Sequence, residues 1–232
     1  MHRFLRLILP AITLMLLFSS FAPNETHAQA RVLGDILDRM DRNNKTLSSL
    51  RADVTMAKQN AQLGGDPEIT KGTVIYAPRK GKDALVRIDW IKPDESLAVV
   101  DGEYIIYRPR LNQAYTGKVN KAKGNAKANG ALAFMNMSRV QLNANYTAAY
   151  LGEGTLSEGT KTFHLQLTPK TKTSYKTAEL WVDTNGMPLQ SKIVENNNDT
   201  TTVLLTNLRK NINLKGTDFV INVPGGTKFV KS

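Results

Sequence analysis

The chain contains 232 residues, with 31 lysines and arginines against 20 aspartates and glutamates, so its formal net charge is +11. It has no cysteine, which excludes a disulfide scaffold, a thiolate metal site, a cysteine nucleophile and a lipid anchor on cysteine. Of its three histidines, only His164 lies outside the leader predicted below. One histidine is too few for a multi-histidine metal centre, and we expect neither a metal nor a cofactor.

The first 30 residues have the pattern of a secretory signal peptide. Arg3 and Arg6 form a basic start, an apolar stretch follows over residues 7–21, and Ala28-Gln29-Ala30 provides a small-x-small cleavage pattern. A membrane anchor is the alternative, but Pro10 and several polar residues interrupt the apolar stretch. We therefore predict cleavage of residues 1–30, export to the periplasm, and a single domain over residues 31–232.

An amphipathic helix is predicted at the start of this domain. Its apolar residues follow the three-and-four spacing that places them on one helical face: Leu33, Ile36, Leu37, Met40, Leu47 and Leu50. Aspartates and arginines cover the other face, as on a helix that is exposed to water on one side. We expect the helix to end or bend near Asn43-Asn44, because asparagine is a weak helix former.

Alternating apolar and polar residues predict β-strands over most of the remaining chain. The segments are 50–56, 71–76, 86–90, 95–100, 104–107, 146–151, 162–167, 178–182, 189–195, 202–208 and 219–223. Asp101-Gly102 is a strong signal for a two-residue hairpin between two of them. The predicted fold class is therefore mainly β (α+β), an antiparallel meander with one buried apolar face.

A lysine-rich loop interrupts the predicted strands at residues 117–130, and a helical segment follows over residues 131–142. This segment carries Phe134, Met135 and Met137. Methionine suits flexible apolar ligands because its side chain is unbranched and polarisable. We expect the helix either to cap an open end of the sheet or to cover an apolar cavity.

No catalytic motif is recognisable in the chain. The serine-hydrolase, zinc-protease, phosphate-loop and dinucleotide patterns are all absent, so we do not expect an enzyme. The positive charge permits contact with nucleic acid, anionic lipid headgroups or an acidic protein surface, and predicted export argues against nucleic acid. An exported polyanion-binding protein stays an alternative, and its binding would depend strongly on salt.

Three segments carry a resemblance to a known family. The first runs from Lys92 to Pro109 and contains KPDES, VVDG and YIIYRP; the second is FMNMSR at residues 134–139, and the third is FVINVPGG at residues 219–226. Their order and spacing resemble the LolA family of periplasmic lipoprotein carriers, with the second segment similar to the family's lid helix and the third to its closing strand. The resemblance extends over residues 32–228.

This resemblance implies an incomplete antiparallel β-barrel, or half-barrel, with an α-helical lid and a hydrophobic cavity for acyl chains. The residues that we assign to the cavity are Met40, Val54, Met56, Val74, Val86, Ile88, Trp90, Leu97, Val99 and Ile105. The residues that we assign to the lid are Leu37, Phe134, Met135 and Met137. Arg79, which follows Pro78, is the candidate for the arginine that controls the family's lid.

The resemblance also implies a function and partners. The protein would be a chaperone that carries lipoproteins from the inner to the outer membrane. Its partners would be acylated lipoproteins, an inner-membrane ABC transporter that releases them and a receiver at the outer membrane, and we expect a monomer. The alternative is a lipid carrier, or a lipid- or lipoprotein-sensing regulatory module, on the same fold.

Overall fold

The computed structural model describes residues 25–79, 82–118, 134 and 137–231. The described part of the chain contains two α-helices. Helix α1 (Glu25–Thr46) precedes the first six strands in the chain, and helix α2 (Arg139–Asn145) follows them. The strands are β1 (Leu50–Gln59), β2 (Glu68–Arg79), β3 (Lys82–Trp90), β4 (Glu95–Val100), β5 (Glu103–Arg108), β6 (Gln113–Lys118), β7 (Tyr146–Thr155), β8 (Lys161–Pro169), β9 (Tyr175–Asp183), β10 (Pro188–Glu195), β11 (Thr200–Lys210) and β12 (Lys228–Lys231).

All twelve strands form one sheet in the order β12-β6-β5-β4-β3-β2-β1-β11-β10-β9-β8-β7. Neighbouring strands are antiparallel except that β12 pairs with β6 in parallel. The pairing of β1 with β11 joins the strands that precede α2 to those that follow it. The sheet is open, with β12 and β7 at its edges, so the predicted mainly β, half-barrel architecture is confirmed.

The predicted hairpin at Asp101-Gly102 connects β4 and β5. Both residues have positive φ, 53° at Asp101 and 78° at Gly102, as a type I′ turn requires. Val100 and Glu103 pair directly on either side of the turn. Aspartate and glycine tolerate this backbone conformation, which is why the dipeptide predicts the turn from sequence alone.

Helix α1 ends later than its asparagine pair suggests. It continues to Thr46, whose hydroxyl donates hydrogen bonds to the carbonyl oxygens of Arg42 and Asn43, each at 3.1 Å. The prediction that Leu47 and Leu50 belong to this helix is wrong, since Leu50 is the first residue of β1. Both residues are buried all the same, so their apolar character reflects the core of the sheet.

Within the second predicted helical segment, the structure describes a helix that begins at Arg139. Ser138 precedes it and caps it: the Gln141 N–H donates to the Ser138 hydroxyl at 3.2 Å, and the Ser138 N–H donates to the Gln141 side chain at 2.9 Å. This reciprocal capping box explains why α2 starts there and runs on to Asn145. Residues 131–133, 135 and 136 lie outside the described part of the chain, as do residues 119–130 of the lysine-rich loop and residues 1–24 of the predicted leader.

Three features near the ends of the sheet differ from the prediction. β6 and β12 were not predicted, and the strand predicted over residues 219–223 is wrong. A 3-10 turn over Gly216–Phe219 occupies that region and contacts β3 and β4. The Arg87 guanidinium donates to the Asp218 and Val220 carbonyl oxygens at 3.2 and 2.9 Å, so a side chain binds carbonyl groups of this segment.

Candidate functional site

One face of the sheet is apolar across many strands because the strand register aligns their inward residues. Residues that pair directly across neighbouring strands point to the same side. One row of such residues consists of Ala52, Val74, Ile88, Leu97 and Ile106, and the next consists of Leu50, Tyr76, Val86, Val99 and Tyr104. We call this side of the sheet the apolar face.

Most of the predicted cavity residues lie together on the apolar face. Val54, Met56, Val74, Val86, Ile88, Trp90, Leu97 and Val99 all belong to one buried cluster over β1–β5 and β11, which we call the first cluster. Each of them is at most 4% exposed. Leu47 and Met187 also belong to it and come from outside the strands.

Ile105 is the exception among the strand residues. It is only partly buried and lies between Tyr104 and Ile106, which both belong to the first cluster. Because side chains alternate along a strand, Ile105 faces the opposite side of the sheet. Ile105, which we assigned to the cavity, therefore faces away from the apolar face, and its neighbour Ile106 occupies the corresponding position.

A second cluster lies between the helices and strands β8 and β9. Its buried residues are Ile36, Leu37, Met40, Phe134, Leu142, Leu165, Leu167, Ala178, Leu180 and Val182. Met40, predicted as a cavity residue, belongs to this cluster together with two predicted lid residues, Leu37 and Phe134. Met137 packs against it as a partly buried residue, and Met135 lies outside the described part of the chain.

The turn between β9 and β10 holds the C-terminal half of α1 on the sheet. The Arg39 guanidinium donates to the Thr184 carbonyl oxygen at 3.0 Å, and the Lys210 ammonium donates to the Asn43 side chain at 3.1 Å. Gly186 makes this approach feasible: a Cβ built on it would lie 2.2 Å from the Arg39 carbonyl carbon, and its φ is +89°. The helix therefore contacts the turn backbone to backbone.

Arg139 joins α2 to α1. Its guanidinium forms an ion pair with the Asp38 carboxylate, and its backbone N–H donates to Asp41 at 3.4 Å. A hydrogen bond from Lys45 to Asp41 lowers the pKa of this carboxyl group, so Asp41 remains an anion beside the α2 N-terminus at neutral pH. Sequence analysis included Arg139 only in the lid segment and gave it no role, because nothing local indicates a partner 101 residues away.

Arg79, the predicted lid-controlling residue, contacts other parts of the described chain. Its Nε donates to the Asp83 carbonyl oxygen at 2.7 Å, and its Nη1 pairs with Asp101 at 2.8 Å. These contacts connect the β2–β3 hairpin to the β4–β5 turn. Neither helix provides a described hydrogen-bond partner for Arg79, whereas Arg139 makes polar contacts between the two helices.

Two polar atoms are buried on the apolar face without a hydrogen-bond partner among the described residues. They are the Tyr76 hydroxyl and the Trp90 indole nitrogen, whose residues are 2% and 3% exposed. Burial raises the pKa of Tyr76, so its phenol stays neutral and able to donate a hydrogen bond. Tyr76 pairs with Val86, four residues before Trp90 on β3, so the two residues are about 13 Å apart along the strand direction at 3.3 Å per residue.

An ion pair between a buried carboxylate and a partly exposed guanidinium lies beside Trp90. Glu95 pairs directly with Trp90 across β3 and β4 and is 1% exposed. The Arg108 guanidinium donates to its carboxylate at 2.5 Å, and this hydrogen bond raises the pKa of Arg108. The apolar face thus ends on a compensated charge at this side.

The opposite side of the sheet has a different character. A groove of about 810 Å³ lies there between β1, β11 and the segment after the 3-10 turn, and it is lined by charged and polar groups that include Arg51, Asp53, Thr73 and Arg209. Such a lining does not suit an acyl chain.

In the part of the chain that the structure describes, no three histidine, aspartate or glutamate side chains converge on one metal position. None of the described helices has the length and apolar character that a membrane span requires.

Comparison with protein-family models gives one match that covers most of the chain. The model described as "Outer membrane lipoprotein carrier protein LolA" matches residues 54–222. This range contains every strand from β2 to β11 and most of β1, and therefore nearly the whole apolar face. No curated protein matches the chain in sequence.

Solved structures resemble the chain at low sequence identity. An uncharacterized conserved protein from Thermus thermophilus is 15% identical, with a TM-score of 0.54, and the match covers 87% of this chain and 99% of that one. A LolA superfamily protein from Nitrosomonas europaea is 12% identical, with a TM-score of 0.42 and coverage of 81% and 97%. The lipoprotein LppX from Mycobacterium tuberculosis is 12% identical, with a TM-score of 0.44 and coverage of 78% and 99%. The similarity to the Thermus structure supports the fold and nothing beyond it.

Proposed function

Because the chain belongs to the LolA family, we propose that it is a periplasmic, non-enzymatic carrier that binds the acyl chains of lipoproteins on the apolar face. The proposal includes delivery from the inner to the outer membrane, with an inner-membrane ABC transporter as the donor and an outer-membrane receiver as the acceptor. The observation that carries it is the first cluster, an apolar surface that extends over six strands, β1–β5 and β11.

Apolar burial provides enough free energy for such a carrier without any chemical step. Each methylene group removed from water contributes about 0.8 kcal/mol, so a long acyl chain is held by its length alone. The residues of the first cluster are buried in the structure, and binding therefore requires a conformational change that exposes them. The cost of this change offsets part of the gain and keeps the affinity low enough for release to an acceptor with a better apolar site.

The two unpartnered donors on the apolar face support a ligand that carries acceptor groups as well as hydrocarbon. A buried donor without a partner costs about 1–3 kcal/mol. Ester and amide carbonyl oxygens are the acceptors that join acyl chains to a lipoprotein, and either would satisfy Tyr76 or Trp90. A plain hydrocarbon would leave both donors unpaired.

The first test of this proposal is mass spectrometry of material that co-purifies with the protein from its native compartment under non-denaturing conditions. Acylated lipoproteins in the extract are the expected result. Lipids without lipoproteins would replace the proposed cargo with free lipid, as in the lipid-carrier alternative. An empty protein that also fails to bind a fluorescent apolar probe would contradict the proposal.

A pair of neighbouring substitutions tests whether the apolar face is the binding surface. Val99 lies on that face, and the next residue, Val100, points to the other side of the sheet. Val99→Thr keeps the shape but places a hydroxyl among apolar groups, and we expect it to weaken binding of a synthetic triacylated lipopeptide about tenfold, or 1.4 kcal/mol.

Val100→Thr is the matched control and should leave the affinity unchanged. Circular dichroism of both variants establishes that the sheet is intact, and Val86→Thr repeats the test from β3 if Val99→Thr does not fold. Equal affinities for wild type, Val99→Thr and Val86→Thr would show that acyl chains bind elsewhere.

A further inference from the structure

Exposed apolar side chains concentrate at one end of the sheet. The large hydrophobic residues that the structure exposes most, among those it describes, are Leu63, Ile69, Ile91, Leu111, Val140, Leu151, Val220 and Phe229. Five of these eight lie in, or next to, the turns at a single end of the strands, namely Leu63, Ile69, Ile91, Leu111 and Phe229. The described turns at the other end, such as Asp101-Gly102 and residues 184–187, carry none.

The strand pairing places these turns side by side. Trp90 pairs with Glu95 and Arg108 pairs with Gln113, so the β3–β4 and β5–β6 turns leave the sheet in the same direction. Adjacent turns of a meander are two strands apart, about 10 Å. Ile91, in the first turn, is 65% exposed, and Leu111, in the second, is 57% exposed.

The start of β12 and the residues before it form hydrogen bonds with the β5–β6 turn, and β12 adds a third apolar side chain to this end of the sheet. The Lys228 N–H donates to the Asn112 carbonyl oxygen at 3.0 Å, and the Asn112 side-chain amide donates to the Gly226 carbonyl oxygen at 3.2 Å. Phe229 follows immediately and is 59% exposed. We define the turn rim as residues 91–94, 109–112 and 224–229.

The charges of the turn rim are mainly positive. Lys92, Arg110 and Lys228 are exposed, and none of them has an ion-pair or hydrogen-bond partner for its side chain among the described residues. Asp94 is the acidic residue within the rim, while Asp66 and Glu68 belong to the next hairpin along, near Leu63. In the headgroup region of a bilayer, the ends of the acyl chains lie close to anionic phosphates. Single aliphatic or aromatic side chains next to unpaired basic side chains suit this region.

From this arrangement we propose that the turn rim docks the protein on the surface of a bilayer that contains anionic phospholipid. Ile91, Leu111 and Phe229 enter the headgroup region, and the three cations contact lipid phosphates. The whole chain carries a net charge of +11, which favours the same encounter over longer distances. This inference does not depend on the proposed cargo, since docking uses the rim and cargo binding uses the apolar face.

Vesicle flotation with the full protein tests the proposal. Vesicles of phosphatidylethanolamine and phosphatidylglycerol should bind the wild type, and vesicles of phosphatidylcholine should bind it more weakly. The triple variant Ile91→Ser, Leu111→Ser and Phe229→Ser should bind the anionic vesicles at least about tenfold more weakly, because all three side chains lose their apolar contact with lipid. The triple variant Lys92→Gln, Arg110→Gln and Lys228→Gln should bind more weakly too, and its binding should depend less on salt than that of the wild type.

A matched variant removes the same number of exposed apolar side chains elsewhere. Val140→Ser, Leu151→Ser and Val220→Ser should keep the wild-type affinity for vesicles. Equal losses of vesicle affinity in the two apolar triple variants would overturn the proposal. A wild type that binds no vesicles would overturn it too and would favour a protein partner for the rim. Binding of an apolar probe should be normal in every rim variant, which separates a failure of docking from a failure of the carrier function.

Discussion

At the scale of single residues, the apolar face is defined as much by Tyr76 and Trp90 as by its aliphatic side chains. Both aromatic residues supply large apolar surfaces, and each also carries one donor that the described residues leave unpaired. Burial of an unpaired donor works against folding. An unpaired donor on a face that we propose to bind acyl chains lowers the stability of the ligand-free protein, and a ligand that pairs with this donor would restore that stability.

Tyr76→Phe should therefore change folding and binding in opposite directions. Removal of the unpaired hydroxyl should raise the free energy of unfolding of the ligand-free protein by about 1 kcal/mol, measured by chemical denaturation. Binding of a synthetic triacylated lipopeptide should weaken about fivefold, since one hydrogen bond contributes about 1 kcal/mol, while a fluorescent alkyl probe without carbonyl groups should bind as before.

Tyr115→Phe is the control for this substitution, because the Tyr115 hydroxyl has a partner in Gln113 at 2.5 Å. That variant should lose stability slightly and keep the affinity for the lipopeptide. A Tyr76→Phe protein with reduced stability would show that its hydroxyl has a partner in solution and would remove it as a ligand contact.

At the scale of elements, α1 and the β9–β10 turn meet at one close backbone contact. The β9–β10 turn approaches the helix at Gly186, where the space for a Cβ is occupied by the backbone of Arg39 and Met40. The three aliphatic residues of α1 in the second cluster depend on this placement, since they pack on β8 and β9 only if the helix lies directly on the sheet. The turn and the helix thus form one packing unit although they are far apart in sequence.

Gly186→Ala should move α1 and destabilise the protein. The added methyl group would lie 2.2 Å from backbone, and the residue has a φ of +89°. Backbone strain should lower the free energy of unfolding by about 1–2 kcal/mol, and overpacking should lower it by about 1–3 kcal/mol more. Gly226→Ala is the matched control, because Gly226 has a φ of +83° and open space around its Cβ position. Chemical denaturation gives the loss in the free energy of unfolding for each variant, and the difference between the two losses measures the effect of the contact with α1. Equal losses of stability would mean that the helix does not rest on this turn.

At the scale of the whole molecule, one sheet serves as both the core and the proposed binding surface. Residues that exclude water in the structure are also those that would contact acyl chains, so ligand binding and stability are linked. The turn rim lies at one end of the strands and the opposite side of the sheet holds a polar groove, so the three surfaces are separate. The proposed cargo and the proposed membrane contact would therefore use different residues.

A ligand for the apolar face should raise the unfolding temperature. A triacylated lipopeptide at a hundred times its dissociation constant should stabilise the folded protein by about 2.7 kcal/mol. For a domain of this size such a gain corresponds to a shift of about 5–10 °C in a thermal scan. The deacylated peptide at the same concentration should produce no shift, and the shift should shrink in Val99→Thr. A similar shift from the deacylated peptide would place binding outside the apolar face.

Much of the architecture follows from local patterns in the sequence. Strict alternation, as in the segment from Val86 to Trp90, predicts the strands because a strand with one buried face repeats every two residues. Asp101-Gly102 predicts its turn because these residues accept positive φ. Eight of the residues that we predicted for the cavity lie together in the first cluster. Ile105 does not, because Ile105 and Ile106 are both aliphatic and only the register with β4 decides which of them faces inward.

The mainly β class, most of the strands, the family and the apolar side chains of one face could be predicted from local patterns and motifs. The residues that hold the elements together become evident only in the folded chain. Arg139 meets Asp38, Arg79 meets Asp101, and Gly186 meets the backbone of Arg39, and in each case the partner is distant in sequence. Local patterns report backbone periodicity and turn conformation, which depend on neighbouring residues. Ion pairs, close backbone contacts and the alignment of exposed turns depend on register and packing, which exist only once the sheet has formed.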